Sequence, residues 1–407
     1  MRSRRARWGL GCLLAASLGV AGCGLGPATM RVNRLDYNIT AQRSNSEQLL
    51  LNLVRMKYLE HPLFMQVGTI ASSFSYSVSA GAIFNTNPAT QQFPLGTTLS
   101  ETPTVTYTPM DGQKYTQEIL SEIDGQRFMV LFRANTHLEI LLRCVLDRVG
   151  QLENQSPNRP INPQRLEAFR RFCHLASLMR TRGDLDIAHV VPEEKAKEKE
   201  KPKQEKAKAK GADKAKEPAK EEAKEEPKDK GPQLVMALRF VGAQEAQEMA
   251  GLLGVPYRPL RLKSGQEILA FRLIETSLLG DTFGRDHRYV DLPFRMRSMR
   301  EVLDYLGQGV EVPPGQQGAS AASQVPLDHG GQMVDPYPYI KDFFEVRYAD
   351  HRPAGAMVSV PYRDGWYYIA DSDLRSKLVF SFLSTLLALQ SGNPPAHAPL
   401  LTLPIGG

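Results

Sequence analysis

"AMVSVPYRDGWYYIADSDLRSKLVFSFLSTLLALQSG", residues 356–392, holds both kinds of regular structure in one run. Val358, Val360 and Tyr362 recur at every second position, and Trp366, Tyr368 and Ala370 do so again beyond them. That is the period of a strand. Asp364-Gly365 lies between the two arms and supplies the positive φ of a tight turn, so the spacing predicts a β-hairpin. From Asp371 onward an aspartate cap opens a stretch that is apolar nearly all round and ends at Gly392. Such a helix is expected to be buried between layers or against a partner. A hairpin followed directly by a helix points to the α+β class.

The same alternation of element types extends upstream. "QLVMALRF" (233–240) reads as a strand and "AQEAQEMAGLLG" (243–254) as a helix. "RPLRLKSGQEILAFRLIET" (258–276) reads as two strands around Ser264-Gly265, and "RSMREVLDYLGQGVEVPP" (297–314) as a helix capped by Ser298 and ended near Gly307 and Gly309. Residues 313–335 are rich in Gly, Pro, Ser and Gln and read as a mobile loop. "DFFEVRYAD" (342–350) reads as a further strand.

The first half is richer in helix. The pattern is helical from Asn33 to Glu60, and within it "SNSEQLLLNLVRMKYLEH" (44–61) offers Ser44 or Ser46 as an N-cap, a stripe of Leu50, Leu53, Val54 and Met56, and a stop at Pro62. "THLEILLRCVLDRVG" (136–150) places Leu138, Leu141, Leu142, Val145, Leu146 and Val149 on one broad helical face that ends at Gly150. "QRLEAFRRFCHLASLMR" (164–180) follows Pro163 at N1 and turns Leu166, Phe169, Phe172, Cys173 and Leu175 inward. Between these helices the period drops to two. In "FSYSVSAGAIF" (74–84), Phe74, Tyr76, Val78, Ala80, Ala82 and Phe84 share a face opposite Ser75, Ser77, Ser79 and Gly81, and "TPTVTYTP" (102–109) returns as a second strand. A membrane-spanning strand needs about 9 to 11 residues. The 74–108 hairpin therefore suits one share of an oligomeric barrel, an outer-membrane pore or secretion assembly. It suits equally, and more commonly, a soluble sheet packed on helices.

Residues 193–232 are almost entirely Lys, Glu and Ala, with no aromatic and no aliphatic larger than alanine. Such a segment buries too little apolar area to offset its ordering entropy and is expected to be disordered. As a coil it spans on the order of 35 Å. It reads as a tolerated surface insertion, with a linker or a weak binder of anionic surfaces as the alternative. Around it lie a helical part with a hairpin, residues 23–192, and a smaller α+β part, residues 233–407.

The chain has 407 residues and a formal charge of +6. Four of those charges are Arg2, Arg4, Arg5 and Arg7, and the lysine excess of the internal run supplies the other two, so the folded parts are close to neutral. A nucleic-acid binder concentrates basic charge on a folded face, so this partner class is set aside. The arginines precede an uncharged stretch from Trp8 to Val20, too short for a comfortable helical span. Basic head, short apolar core and small residues form a secretory signal. Its end, Val20-Ala21-Gly22-Cys23, resembles the lipobox of bacterial lipoproteins. That resemblance implies removal of residues 1–22, lipidation of Cys23 and acylation of the new amino terminus. By the sorting rule of that family, Gly24 in place of aspartate implies an outer-membrane destination facing the periplasm. With the "QLLLNLVRMKY" helix and the "VPYRDGWYYIADSDLRSK" hairpin, the chain resembles the large envelope lipoproteins of Gram-negative bacteria, a resemblance that implies no particular activity.

Of the cysteines, Cys12 leaves with the signal and Cys23 becomes the anchor. Cys144 and Cys173 remain on two apolar helices. In an oxidising periplasm they are candidates for a disulfide, and two buried thiols are the alternative. No phosphate loop, dinucleotide fingerprint, HExxH, GxSxG or CxxC occurs, so no cofactor, metal or catalytic residue is assigned. Asp286-His287-Arg288 and Asp350-His351-Arg352 are the nearest echoes of an acid–base pair, and adjacent residues usually point apart. His137 and His174 read as interface histidines. Trp366, Tyr367 and Tyr368 read as hairpin packing before they read as a sugar-stacking platform. The expectation is a non-enzymatic scaffold or accessory subunit of an envelope complex. Its partners would be membrane lipid through acylated Cys23 and an envelope protein, with homo-oligomerisation open. A cell-wall hydrolase is the remaining alternative.

Overall fold

A computed structural model describes residues 25–80, 95–110, 113–134, 137–156, 159–190, 233–239, 243–262, 264–275, 290–319, 325–326 and 333–390. Helix α1 (Leu25–Lys57) leads into strands β1 (Met65–Ala80) and β2 (Leu95–Pro109). Helices α2 (Gln113–Leu120), α3 (Gly125–Arg133) and α4 (Leu138–Val145) follow, then β3 (Leu146–Val149), β4 (Leu152–Glu153), α5 (Pro163–Arg182) and β5 (Leu185–Val190). Beyond the internal charged run come β6 (Gln233–Arg239), α6 (Ala243–Leu253), β7 (Leu260–Arg261), β8 (Glu267–Glu275), β9 (Val290–Met296) and α7 (Met299–Gly307). The chain closes with short strands β10 (Val325–Pro326) and β11 (Met333–Val334), then β12 (Arg347–Ala349), β13 (Ala356–Tyr362), β14 (Gly365–Ala370) and helix α8 (Leu374–Gln390). The protein is α+β, as its patterning predicts.

The chain divides into two compact units that interleave in sequence. The first takes Met1–Gln117, Val310–Ala321 and Phe343–Lys377; the second takes Glu118–Gly309, Ala322–Asp342 and Leu378–Gly407. The break therefore does not fall at the 193–232 run. Strands β5 and β6, on either side of that run, are antiparallel neighbours, with Val190 opposite Gln233. The run enters and leaves at register partners, which makes it an insertion in a hairpin connection. Loop closure costs grow only slowly with length, so such an insertion is tolerated. Residues 193–232 themselves lie outside the described residues, as does Cys23. Part of the expected 313–335 loop has regular structure: a 3-10 turn at Pro314–Ala319, and β10 paired with β11.

In the second unit, the sheet order is β4-β3-β9-β8-β6-β5, with β7 on the β9 side of β8. Only the β8–β9 pairing is parallel. Helices α4, α5, α6 and α7 pack against one another and the sheet. Their buried faces carry Leu141, Val145, Phe169, Phe172, Met249, Leu253 and Leu306. Helix α5 forms as its ends dictate. The Asn162 side chain accepts from the amides of Gln164 and Arg165, Pro163 sits in the first turn, and Gly183 closes the helix at φ 80. Ser298 and Glu301 build a reciprocal capping box at the start of α7.

Helix α4 is shorter than its periodicity predicts. It ends at Val145, and the chain continues as β3. Leu146 and Val149 are buried either way, so period alone does not separate the two conformations. The deciding partners are distant in sequence. The Arg297 guanidinium donates to the carbonyls of Arg143 (3.0 Å) and Cys144 (3.2 Å), and the Arg297 amide donates to Val145 at 2.8 Å. The Asn154 amide donates to Arg143 and Leu146, each at 2.8 Å. The last carbonyls of α4 are thus satisfied from outside, which is what a helix end requires. Gly150 turns the chain at φ 56, and a Cβ there would stand 2.2 Å from the Leu253 carbonyl oxygen. Arg297 is 1 % exposed, lies 4.1 Å over the Tyr305 ring, and also donates to the Gln155 carbonyl. Burial pulls its pKa down. Arg297→Met removes these donors while keeping an apolar stem. It is expected to destabilise the second unit by about 3 kcal/mol or more, because it strands buried carbonyls. Denaturant titration of its unfolding checks this, and a loss below about 1 kcal/mol would contradict the assignment.

In the first unit, α1 packs on the three-stranded sheet β12-β14-β13. The predicted stripe of Leu50, Leu53, Val54 and Met56 is buried as expected. The helical span from Asn33 lies within α1, which already runs from Leu25, so the N-cap at Ser44 or Ser46 is not used: the Ser46 hydroxyl donates back to the Gln42 carbonyl inside the helix. The β13–β14 register also differs from expectation by one position on one arm. Tyr362 opposes Gly365, so the two-residue turn is Arg363-Asp364, and Arg363 takes the positive φ of 50°. A one-residue change flips a strand's faces. Tyr367 and Ile369 are therefore the buried residues of β14, while Trp366 and Tyr368 lie on the half-buried side. Gly365 is needed for space: a Cβ would meet the Tyr348 ring at 2.4 Å. Helix α8 is capped by Asp373, which accepts from the Ser376 amide. It buries one side, through Val379, Phe380, Leu383 and Leu386, and exposes Leu374 and Leu378, so it is not enclosed all round.

Candidate functional site: a clamped hairpin

Strands β1 and β2, of 16 and 15 residues, form a two-stranded antiparallel sheet. Among the described residues no third strand joins it. The ladder runs from Met65↔Pro109 to Ala80↔Leu95, with one irregularity between Val67 and Thr69. At about 3.4 Å per residue its strands are about 50 Å long. Beyond the irregularity the register sets Phe74 opposite Glu101, Tyr76 opposite Leu99 and Val78 opposite Thr97. Ser73 opposes Thr102, Ser75 opposes Ser100 and Ser77 opposes Thr98. Directly opposed positions of an antiparallel pair share a face. One face therefore collects the large apolar positions, and the other collects Ser and Thr positions.

The foot of this hairpin is fixed by two side chains of α1. The Gln48 amide donates to the Met65 carbonyl at 2.9 Å and accepts from the Met65 amide at 2.6 Å. One helical turn later, the Asn52 amide donates to the Leu63 carbonyl at 2.7 Å and accepts from the Leu63 amide at 3.0 Å. Each primary amide thus completes the pair of bonds that a neighbouring strand residue would make. Asn52 is fully buried, and Phe64, the residue between the clamped pair, is buried on the core. The Phe64 carbonyl accepts from the Met110 amide at 2.8 Å, so the returning end of the hairpin is held as well. Sequence reading missed both clamp residues. The available signal was a polar pair at i, i+4 flanking the stripe of "QLLLN".

A tyrosine cluster ties the end of α1 to the β13–β14 turn. Leu59, at φ 61, turns the chain out of α1, with the Glu60 amide bonded to the Arg55 carbonyl and the Leu59 amide to Met56. The Tyr58 hydroxyl lies 2.5 Å from that of Tyr367 and donates to the Gln316 side chain at 2.7 Å. The Arg363 guanidinium stands 4.2 Å over the Tyr58 ring, and the Tyr362 hydroxyl donates to Glu60 at 2.5 Å. Burial, followed by the Glu60 carboxylate, pushes the Tyr362 phenol up to about 12. Burial also raises Tyr367, with the Tyr58 bond next. Both phenols are held protonated well beyond neutral pH.

The other sequence candidates do not converge. Cys144 and Cys173 are buried free thiols, not a disulfide. Burial pushes Cys144 up to about 12 and raises Cys173 too, so both pack as small apolar groups and are poor nucleophiles. His137 and His174 are exposed rather than set in an interface of their unit. Asp350, His351 and Arg352 are exposed, with Arg352 lying 5.4 Å over the Trp366 ring. Asp286, His287 and Arg288 lie outside the described residues. Among the described residues no group of His, Cys, Asp and Glu is placed to hold a metal ion, and no helix is long and apolar enough to cross a membrane. A concavity in the second unit, lined by Glu153, Arg159, Asn162 and Arg165, holds about 110 Å³. Ligand pockets typically enclose about 300 to 1,000 Å³. No protein-family profile, curated protein or solved structure matches the chain.

Removing one clamp amide leaves the Leu63 N–H and C=O without their partner. Asn52→Ala is expected to lower stability by about 2 to 4 kcal/mol, and Gln48→Ala, at a more exposed site, by about 1 kcal/mol. Thermal or urea unfolding of the two variants checks the order; equal and negligible losses would remove the clamp.

Proposed function

We propose that this chain is a lipid-anchored, periplasm-facing protein of the outer membrane that acts as a non-enzymatic scaffold or accessory subunit of an envelope complex. The observation that carries the reading is the clamped hairpin at the end of α1. Helix α1 begins at Leu25, next to the lipobox-like Cys23. Its residues 35–48 are exposed or half-buried, and burial sets in at Leu49. At 1.5 Å per residue, the stretch from Leu25 to Gln48 is about 35 Å of helix. That is a stalk between an acylated residue and the core. Leu35 and Ile39 are 59 % and 61 % exposed on this stalk, an i, i+4 pair suited to a partner helix or a lipid surface. Three acyl chains would hold such a protein stably, since about two membrane signals suffice. The buried thiols, protonated phenols and small polar concavity suit a subunit that binds through surfaces better than one that turns over a substrate.

Metabolic labelling with palmitate tests the anchor. The chain is expected to carry label, to pellet with outer-membrane vesicles, and to lose both properties in Cys23→Ala. Unaltered labelling and fractionation of Cys23→Ala would falsify the anchored reading.

A further inference from the structure

We propose that the β1–β2 hairpin is a self-assembly arm: hairpins of several copies of this chain join edge to edge, β1 of one against β2 of the next, into one continuous antiparallel sheet. The inference rests on the scaffold reading and names the partner of its hairpin.

An isolated two-stranded hairpin is marginally stable in water, and a third strand is the usual remedy. Here neither edge is paired within the chain among the described residues. Natural proteins protect such edges with charged side chains, lysine above all. Between Met65 and Pro109 the only charged residue is Glu101, in a chain that is 23 % charged. The one irregularity sits at the foot, between Val67 and Thr69, and leaves the ladder from Thr69 to Ala80 regular. Pro103 withdraws one donor from that length.

A second copy is the occupant whose shape fits. The two strands match in length to within one residue, 16 and 15, so the β1 edge of one copy meets a β2 edge of equal extent. Strand direction alternates correctly: β1 up, β2 down, then the next β1 up. The joined length would add on the order of 14 backbone hydrogen bonds per contact. Because each copy contributes the same register, Ser73, Ser75 and Ser77 with Thr98, Ser100 and Thr102 fall on one side of the joined sheet, and Phe74, Tyr76, Val78 and Leu99 with Thr97 and Glu101 on the other. Such a head-to-tail contact is heterologous, and a closed ring is the arrangement of it that leaves no edge free. The clamp on Leu63 and Met65 gives each hairpin a fixed base on α1, which a repeating contact needs.

The test uses the full chain in mild detergent. Light scattering should give a mass several times the chain mass. Ser73→Lys with Ser77→Lys should reduce it to the monomer while the melting midpoint stays within a few degrees of the unsubstituted protein. For pairing, Ser77→Cys and Thr98→Cys chains are prepared separately and oxidised to disulfides, alone and mixed; a disulfide joins adjacent strands but cannot bridge the roughly 9.6 Å between like positions two strands apart. Cross-linked dimers in the mixture only are expected. A monomeric unsubstituted chain, links in the Ser77→Cys preparation alone, or none in the mixture would each overturn the proposal. Palmitate label on the same samples separates the two readings. A labelled monomer overturns the hairpin contact and leaves the anchor standing; an unlabelled chain that cross-links in the mixture upholds the contact and removes the anchor.

Discussion

Two primary amides do the work of a strand in this protein. A helix has already spent its backbone hydrogen bonds on itself, so it offers a strand only side chains. Gln48 and Asn52 are four residues apart on α1, about 6 Å along the axis. Leu63 and Met65 are two residues apart in extended chain, about 6.7 Å. The near match lets one helical face bind alternate residues of the incoming segment through both N–H and C=O. The core side of the same helix, through Leu50, Leu53 and Val54, is buried on the three-stranded sheet. Core packing therefore positions the clamp, and the clamp positions the hairpin. The tyrosine cluster closes the arrangement by fixing the C-terminal end of α1 to the β13–β14 turn.

The second unit meets the same constraint from the opposite side. There a helix end must be satisfied in the interior, and Arg297 and Asn154 supply the donors. Among the described residues, Arg297 is held by backbone carbonyls and the Tyr305 face rather than by a salt bridge. In both units a polar side chain buried by the apolar core determines where one element stops and another begins. These contacts are local in space and remote in sequence, 142 to 154 residues apart for the Arg297 side chain.

That separation explains what was legible beforehand. Elements whose ends carry their own signals were readable: Asn162-Pro163 and Gly183 bound α5, and Ser298 with Glu301 opens α7. The long hairpin was readable as a period of two, though not its full length, because Met65 to Ser73 alternates less clearly. The end of α4 was not readable, since Leu146 and Val149 are buried in strand and helix alike. The β13–β14 register differs because "RDG" invites the glycine into the turn, whereas Gly365 is the first strand residue, where Tyr348 leaves no room for a Cβ, and Arg363 takes the positive φ. Of the candidate site, the hairpin was visible and its clamp was not: Gln48 and Asn52 look like ordinary helix residues until the partner backbone is in place. The pairing of Cys144 with Cys173 was one of two readings, and the buried free thiols are the other.

Function in this account follows from placement: a stalk helix, a core that holds it, and a long uncharged hairpin fixed to its end. The clamp joins the stalk helix to the hairpin, and amide hydrogen exchange reads it directly. The Leu63 and Met65 amides donate to side chains rather than to any strand, in a segment outside regular structure or at its first residue. The account predicts that both exchange as slowly as the amides of the buried part of α1, Leu50 to Val54. Exchange at the rate of a free loop at these two positions would contradict it.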